Sequence, residues 1–272
     1  MKEEVVLAEI PLSIFLRERI AVLGAGSIGE QVVEALYEKG HQNIIATRRS
    51  KNALEVLAQK YEGIEITTNN RDAAKQAHII ILAVKPKRIE EVAQEIRGYT
   101  TGKLVISIAA AKSLDVLYKV LDKQVRVARV MTGLYVKDEV AAYCLGRGAT
   151  QEDTERVRYI FGQTAREMEE KFLAHRTFVA CDTGLMAKEI EEKMKQLEKE
   201  GLSRENAYLF YAATLEAVAQ KLRKGVSGEE IYGEVGGDGS FTKSLGSSIE
   251  ERGYYLHLQE CVEKTVAACG GK

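Results

Sequence analysis

The segment Ile20-Ala21-Val22-Leu23-Gly24-Ala25-Gly26-Ser27-Ile28-Gly29 constrains the fold of this chain more than any other. A short apolar run leads straight into a glycine-rich turn, and an amphipathic stretch carrying Val32, Val33, Leu36 and Tyr37 follows it. That order reads as a buried strand, a tight bend and a helix packed back on the strand. Gly24 permits the bend, Gly26 lets a phosphate approach the backbone, and Gly29 lets the helix lie close to its strand. The helix start, with Ala25, Ser27 and Ile28 around it, turns free N–H groups toward an anion. With 23 glycines in the chain such a turn arises by chance, and it is the strand before it and the helix after it that favour a dinucleotide site over a structural turn.

A second apolar run, Asn43-Ile44-Ile45-Ala46, arrives at the distance a βαβ unit requires and ends in Thr47-Arg48-Arg49-Ser50. An acidic residue there would hold the 2′-hydroxyl of NAD; two guanidinium groups and a serine suit a 2′-phosphate, so the expected cofactor is NADP(H). The competing reading of Arg48 and Arg49 is a solvated helix start.

From residue 19 to about 170, strand-like runs near 20–23, 43–47, 64–67, 78–83, 103–107 and 126–130 alternate with helical patterns. This predicts an α/β fold: an N-terminal Rossmann domain, a doubly wound and mostly parallel sheet. Pro86 suits the first position of a helix after the run at 78–84, Ala141–Leu145 adds an edge strand, and Thr150 with Asp153 caps the next helix. Beyond about 171 the β-branched runs disappear and helical periodicity continues over roughly 172–200, 203–224, a short segment from Ser227, and one or two more from Thr242 to about 268. The expected division is therefore 1–170, an NADP-binding Rossmann domain with an N-terminal extension over 1–18, and 171–272, an all-helical dimerisation and substrate domain. Segments such as Ala207-Tyr208-Leu209-Phe210-Tyr211-Ala212-Ala213 are apolar on more than one face, which a small helical domain covers by pairing with a second copy. A homodimer through the helical domain, or a higher oligomer, is expected.

Thirty-nine basic and 40 acidic residues are interspersed, so no nucleic-acid face and no polybasic membrane patch is implied. The N-terminal stretch is broken by Glu9, Pro11, Arg17, Glu18 and Arg19, which fits neither a signal peptide nor a membrane span, and a cytoplasmic protein is expected. Its four cysteines and four histidines are scattered without metal-ligand spacing, so no metal is expected.

Three further segments carry a family resemblance. Ala83-Val84-Lys85-Pro86, Ser107-Ile108-Ala109-Ala110-Ala111 and Arg129-Val130-Met131-Thr132 follow one another at carboxyl ends of predicted strands, where doubly wound sheets hold ligands. In order, spacing and domain plan the chain resembles pyrroline-5-carboxylate reductase over nearly all of residues 19 to 268. The resemblance implies NAD(P)H-dependent reduction of a small cyclic imine, as in proline biosynthesis. It also implies cofactor contacts from Asn70, from Ala83, Val84, Lys85 and Pro86, and from Ser107, Ala109 and Ala110 beside the nicotinamide. Lys85 read by itself is either a cofactor contact or a solvated loop cation.

The substrate-side segments depart from the family. Its Ser-Pro-Gly-Gly-x-Thr loop corresponds to Gly237-Asp238-Gly239-Ser240-Phe241-Thr242, which keeps Thr242 as the candidate catalytic hydroxyl and puts Gly239 and Ser240 beside the substrate; an ordinary helix N-cap is the alternative for Ser240 or Thr242. Met-x-Asn-Thr-Pro becomes Met131-Thr132-Gly133-Leu134-Tyr135. A small-residue helix opening becomes Ala180-Cys181-Asp182-Thr183-Gly184-Leu185-Met186. Asp182 either faces the substrate pocket, where it would pair with an amine or iminium, or serves as an N-cap or solvated loop acid. Two rival functions accompany the reductase: an NADP(H)-binding regulator or partner protein that has lost catalysis, and an NADP oxidoreductase that exchanges hydride with a second cofactor such as a deazaflavin.

Overall fold

The computed structural model describes residues 12–138 and 140–270. A single helical turn, α1 (Leu12–Phe15), precedes β1 (Ile20–Leu23), α2 (Ser27–Glu38), β2 (Ile44–Thr47), α3 (Lys51–Lys60), β3 (Glu65–Thr67), α4 (Asn70–Gln76) and β4 (Ile79–Leu82). A 3-10 turn at Pro86–Arg88 then leads into α5 (Ile89–Glu95), β5 (Leu104–Ser107), α6 (Leu114–Val120), β6 (Arg126–Met131), β7 (Ala142–Leu145), α7 (Gln151–Phe161) and β8 (Arg166–Glu167). The remainder is helical: α8 (Leu173–Lys199), α9 (Arg204–Arg223), α10 (Gly228–Val235), α11 (Phe241–Glu251) and α12 (Tyr254–Ala268).

The chain forms two compact units, one of residues up to Ala180 together with those from Val266 onward, the other of Cys181–Thr265. In the first, eight strands make one sheet in the order β3-β2-β1-β4-β5-β6-β7-β8. All pairs are parallel except β6 with β7. Every residue of β1, β2, β4 and β5 is buried, because helices cover both faces of the sheet. The period of two sends Ile20, Val22, Ile79 and Ile81 to one face, against Val32, Val33 and Leu36 of α2 and Val157 and Ile160 of α7. Ala21, Leu23, Ile80 and Leu82 go to the other, against Ala73 and Ala74 of α4, Ile89, Val92 and Ala93 of α5, and Leu117 of α6.

Local signals set the element ends. Thr150 and Asp153 form a reciprocal capping box at the start of α7. The fully buried Asp153 also accepts from Arg126 Nη1 at 2.7 Å and Arg156 Nη1 at 3.1 Å, so a helix cap doubles as the anchor of two guanidinium groups. Pro86 occupies the start of the 3-10 turn, where a missing N–H costs nothing. One expectation is corrected: β7 is not an edge strand, because β8 pairs outside it. Two residues, Arg166 and Glu167, carry no apolar alternation and are held as a strand by backbone bonds to β7 alone. Of the expected N-terminal extension, residues 1–11 lie outside the described residues; Phe15 is buried and stacks on Tyr159, with ring centroids 5.3 Å apart.

In the helical unit, Ser203, Ser227 and Ser240 cap α9, α10 and α11, accepting from backbone N–H groups three residues on at 3.3, 3.1 and 3.1 Å. Gly201 and Gly225 take left-handed φ of +94° and +82° after α8 and α9, as helix stops require. The ring of Tyr232 lies against Gly246, where any side chain would collide with the phenol. Leu209, Phe210 and Leu245 are each more than half exposed and Phe241 is 95% exposed. Among the described residues no helix is long and apolar enough to cross a membrane.

Candidate functional site

Between the carboxyl ends of β1, β2 and β4 the strand order reverses, and the loops part to leave a groove of about 330 Å³. Gly24 and Gly26 form its floor; Thr47, Arg48 and Arg49 form one wall at the end of β2. Thr68 and Asn70 close one end, and Ala83, Val84, Lys85, Lys87, Arg88 and Val92 form the opposite wall. Five cationic side chains line the groove and, among the described residues, no carboxylate does.

The glycines are placed as a phosphate-binding turn requires. Gly24 has φ +97°, and a Cβ there would stand 2.5 Å from Val84 Cγ1. A Cβ on Gly29 would collide with the carbonyl oxygen of Gly24 and lie 3.1 Å from Ala83 Cβ, so this glycine lets α2 sit against the turn. Gly26 differs from both: a Cβ there would meet no protein atom within 4 Å, because the residue faces the open groove. Gly26 is also the N-cap of α2 and offers no side chain to the first-turn N–H groups, which are left for a ligand. A diphosphate fits these features, since the helix end supplies donors and the helix dipole favours negative charge.

Arg48 reaches back over the turn, donating from Nη1 to the Ala25 carbonyl at 3.3 Å. Arg88 is held by Glu91, Nε to Oε2 at 3.0 Å and Nη2 to Oε1 at 2.5 Å, which fixes the plane of its guanidinium beside the groove. The bond from Arg88, aided by the charge of Arg49, holds the Glu91 carboxyl below the usual carboxylate range. Neither Lys87 nor Arg88 stood out in the sequence; the signal was the basic run Lys85-Pro86-Lys87-Arg88 directly after a buried strand. Thr47 holds the turn from the side: Gly24 N–H is shared between Thr47 O at 3.0 Å and Thr47 Oγ1 at 3.2 Å, and Ala25 N–H donates to Thr47 O at 2.7 Å. Thr47 Oγ1 donates to Asn70 Oδ1 at 2.6 Å, and Asn70 Nδ2 donates to Glu95 Oε2 at 2.8 Å.

The structure thus gathers Gly24, Gly26, Thr47, Arg48, Arg49, Asn70, Ala83, Val84 and Lys85 around one groove. Ala25 is buried beneath it, Ser27, Ile28 and Gly29 begin α2, and Pro86 opens the 3-10 turn. Ser50 does not line the groove; its oxygen caps α3 by accepting from Ala53 N–H at 3.3 Å. Ser107 ends β5 and is buried, and its Oγ accepts from Ala109 N–H at 3.5 Å; Ala110 follows in the same loop. Ala111 closes that loop at φ +57°, a left-handed conformation that a side chain tolerates poorly. Met131 is buried at the end of β6. Glu170, which carries no motif in the sequence, accepts from buried Arg129 at 2.6 Å and from Leu114 N–H at 2.7 Å, pinning the start of α6 to β6. Nearby, burial and the Glu170 charge push the Cys144 thiol up to about 11.

In the helical unit, Ser240 takes the N-cap of α11, so Thr242 is left at the second position of that helix, half-buried, with its hydroxyl not used as the cap. Gly239 precedes them at φ +78°. Asp182 is neither an N-cap nor a loop acid: it lies inside α8, whose 27 residues run unbroken past Gly184 because no proline or competing cap interrupts them.

Residues 19–111 match the family described as NADP oxidoreductase, coenzyme F420-dependent. Over 262 residues the chain is 28% identical to a pyrroline-5-carboxylate reductase of Corynebacterium melassecola, covering 90% of this chain and 97% of that protein. It is 29% identical to a pyrroline-5-carboxylate reductase of Methanosarcina acetivorans, covering 87% and 91%. In fold it is similar to the crystal structure of a Plasmodium falciparum pyrroline carboxylate reductase with NADP bound, at TM-score 0.83 and 21% identity over 94% of this chain and 99% of that one.

Proposed function

Since this chain belongs to the pyrroline-5-carboxylate reductase family, we propose that it reduces the C=N bond of a small cyclic imine with NADPH, pyrroline-5-carboxylate being the first substrate to test. The observation that carries this reading is the groove at the reversal of strand order, floored by an open Gly26 and walled by five cations, with no carboxylate among the described residues that line it. NADPH bound there supplies the hydride to the imine carbon. The chain's own work is to hold and orient. The α2 N-terminus takes the diphosphate, and Arg48 and Arg49, with Lys87 and Arg88 opposite, take the 2′-phosphate. Lys85 and the Ser107–Ala110 loop lie toward the nicotinamide in this proposal. Thr242, with its hydroxyl not engaged as a cap, hydrogen-bonds the ring nitrogen as it becomes an amine, and Met131, Gly239 and Ser240 border the substrate. Asp182, on the flank of a helix, would favour a substrate bearing a cationic nitrogen.

The proposal includes the division of work between residues 1–170 and 171–272, and a homodimer formed through the helical domain. Exposed Leu209, Phe210 and Leu245 support the latter, as apolar surface a second copy would cover. Sedimentation at low micromolar concentration should show no folded monomer, and L209D/L215D should lower solubility before cofactor affinity. The match to a coenzyme F420-dependent oxidoreductase covers residues 19–111 alone, whereas the reductase relatives run through the helical unit as well.

The test of the activity follows NADPH oxidation by purified protein against a panel of cyclic imines. Turnover that falls in T242V supports the reductase. Tight NADPH binding with no turnover on any imine would leave the regulator reading in its place, and reduction of NADP by a reduced deazaflavin would favour the third.

A further inference from the structure

The hydrogen bonds behind the nucleotide turn run in one direction, and Glu95 sets it. A carboxylate accepts and does not donate, so the Asn70 side chain must turn its Nδ2 to Glu95, where the distance is 2.8 Å. That leaves Oδ1 facing Thr47, so the single hydroxyl hydrogen of Thr47 goes to Asn70 at 2.6 Å. The Thr47 oxygen then has only lone pairs to offer the turn, and it accepts from Gly24 N–H at 3.2 Å. Thr47 is 2% exposed, so water does not substitute for a partner lost from this chain. Asn70 also lines the groove, and its Nδ2 carries a second hydrogen beyond the one given to Glu95.

We propose that Glu95 is a positioning residue for cofactor binding: it does not itself line the groove, but through Asn70 and Thr47 it fixes the polarity of the bonds that hold Gly24 and presents Asn70 to the cofactor as a donor. The residue sits at the end of α5, with its backbone carbonyl further held by Arg71 Nε at 3.1 Å, so the carboxylate is delivered from an anchored helix end. Asn70, which the sequence offered as a direct cofactor contact, thereby gains a second task of transmitting orientation. The inference rests on the NADP(H) reading of the groove.

The experiment is a cycle of E95L, T47V and the double variant, with E95Q as the conservative control, each titrated with NADPH by fluorescence and assayed for imine reduction. E95L should weaken NADPH binding about tenfold or more, the scale of one lost hydrogen bond to a charged group. It should leave kcat at saturating NADPH and the imine KM unchanged. T47V should weaken NADPH binding by a similar factor, and the double variant should bind no worse than the weaker single one, because the two changes cut one chain. E95Q keeps an acceptor for Asn70 and should stay close to the unaltered protein. E95L binding NADPH as tightly as the unaltered protein, or E95L and T47V adding independently, would overturn the proposal. Should E95L melt too low to titrate, T47V and E95Q decide: T47V binding normally, or E95Q binding as poorly as T47V, would also overturn it. If the unaltered protein fails to bind NADPH, the cofactor reading itself falls and this inference with it.

Discussion

Gly26→Ala and Gly29→Ala, three residues apart in one turn, should have opposite effects, one on binding and the other on stability. At Gly26 a methyl group meets no protein atom within 4 Å and φ is −86°, which alanine adopts freely. Alanine is a poorer N-cap than glycine but narrows the unfolded ensemble, and the two terms offset to within about 0.5 kcal/mol. The apoprotein should therefore melt almost unchanged. The methyl group instead enters the path of the diphosphate; losing one charge-assisted bond from the helix end costs roughly 1.5–3 kcal/mol, or about 10- to 150-fold in affinity for NADPH. At Gly29 the methyl group strikes the Gly24 carbonyl oxygen and lies 3.1 Å from Ala83 Cβ, both parts of the packed turn. Overpacking costs about 1–3 kcal/mol, and a collision with backbone puts it in the upper half of that range, about 2–3 kcal/mol; the better helix propensity of alanine returns up to about 1 kcal/mol, leaving a net loss of about 1–3 kcal/mol. Thermal melting without cofactor, paired with NADPH titration, separates the two. G26A binding NADPH with unaltered affinity would show that the cofactor does not approach that face, and G29A as stable as the unaltered protein would remove the close-packing role of that glycine.

R48A/R49A should lower the preference for NADP(H) over NAD(H) by about tenfold or more, and added salt should shrink the preference of the unaltered protein, since both side chains are exposed; equal affinities for the two cofactors before mutation would place the arginines elsewhere. Ala111→Gly should stabilise the protein by about 0.5–1 kcal/mol in chemical denaturation, because relief of a left-handed alanine exceeds the added chain entropy of glycine. Cys144, buried and pushed up to about 11, should resist a thiol reagent at pH 8 in the native protein while exposed Cys181 and Cys261 react; rapid labelling of Cys144 would mean that the β6–β7 region opens readily.

What the sequence made legible was local in origin. Runs such as Ile79-Ile80-Ile81-Leu82 declare a strand covered on both faces, and Ser203, Gly201 and Gly225 mark helix ends through bonds made within a few residues. The same holds for the glycine turn, whose chemistry is carried by backbone. The rest depends on residues far apart in the chain. β8 is a strand only because β7 is beside it. Glu170 and Glu95 look like any surface acid until the fold brings Arg129 or Asn70 to them, 41 and 25 residues away. Asp182 was misplaced for the complementary reason: a borrowed motif suggested a helix opening, while the chain's own composition offers nothing to break α8 there.

Every residue that lines the nucleotide groove lies between Gly24 and Val92, so the order of synthesis on the ribosome matters. At about 5–20 residues per second, the 15 residues from Val92 to the end of β5 at Ser107 take on the order of one to three seconds to appear. Through that interval β1, β2 and β4 have what they need to pair, but β5, the neighbour that covers the open side of β4, is still being made. A nascent chain is thus exposed along a fully apolar strand just when its groove first becomes able to take a nucleotide. Ligand present during translation would then bias the growing chain toward the native pairing of β1 with β4, making cofactor supply a determinant of folding yield as well as of turnover.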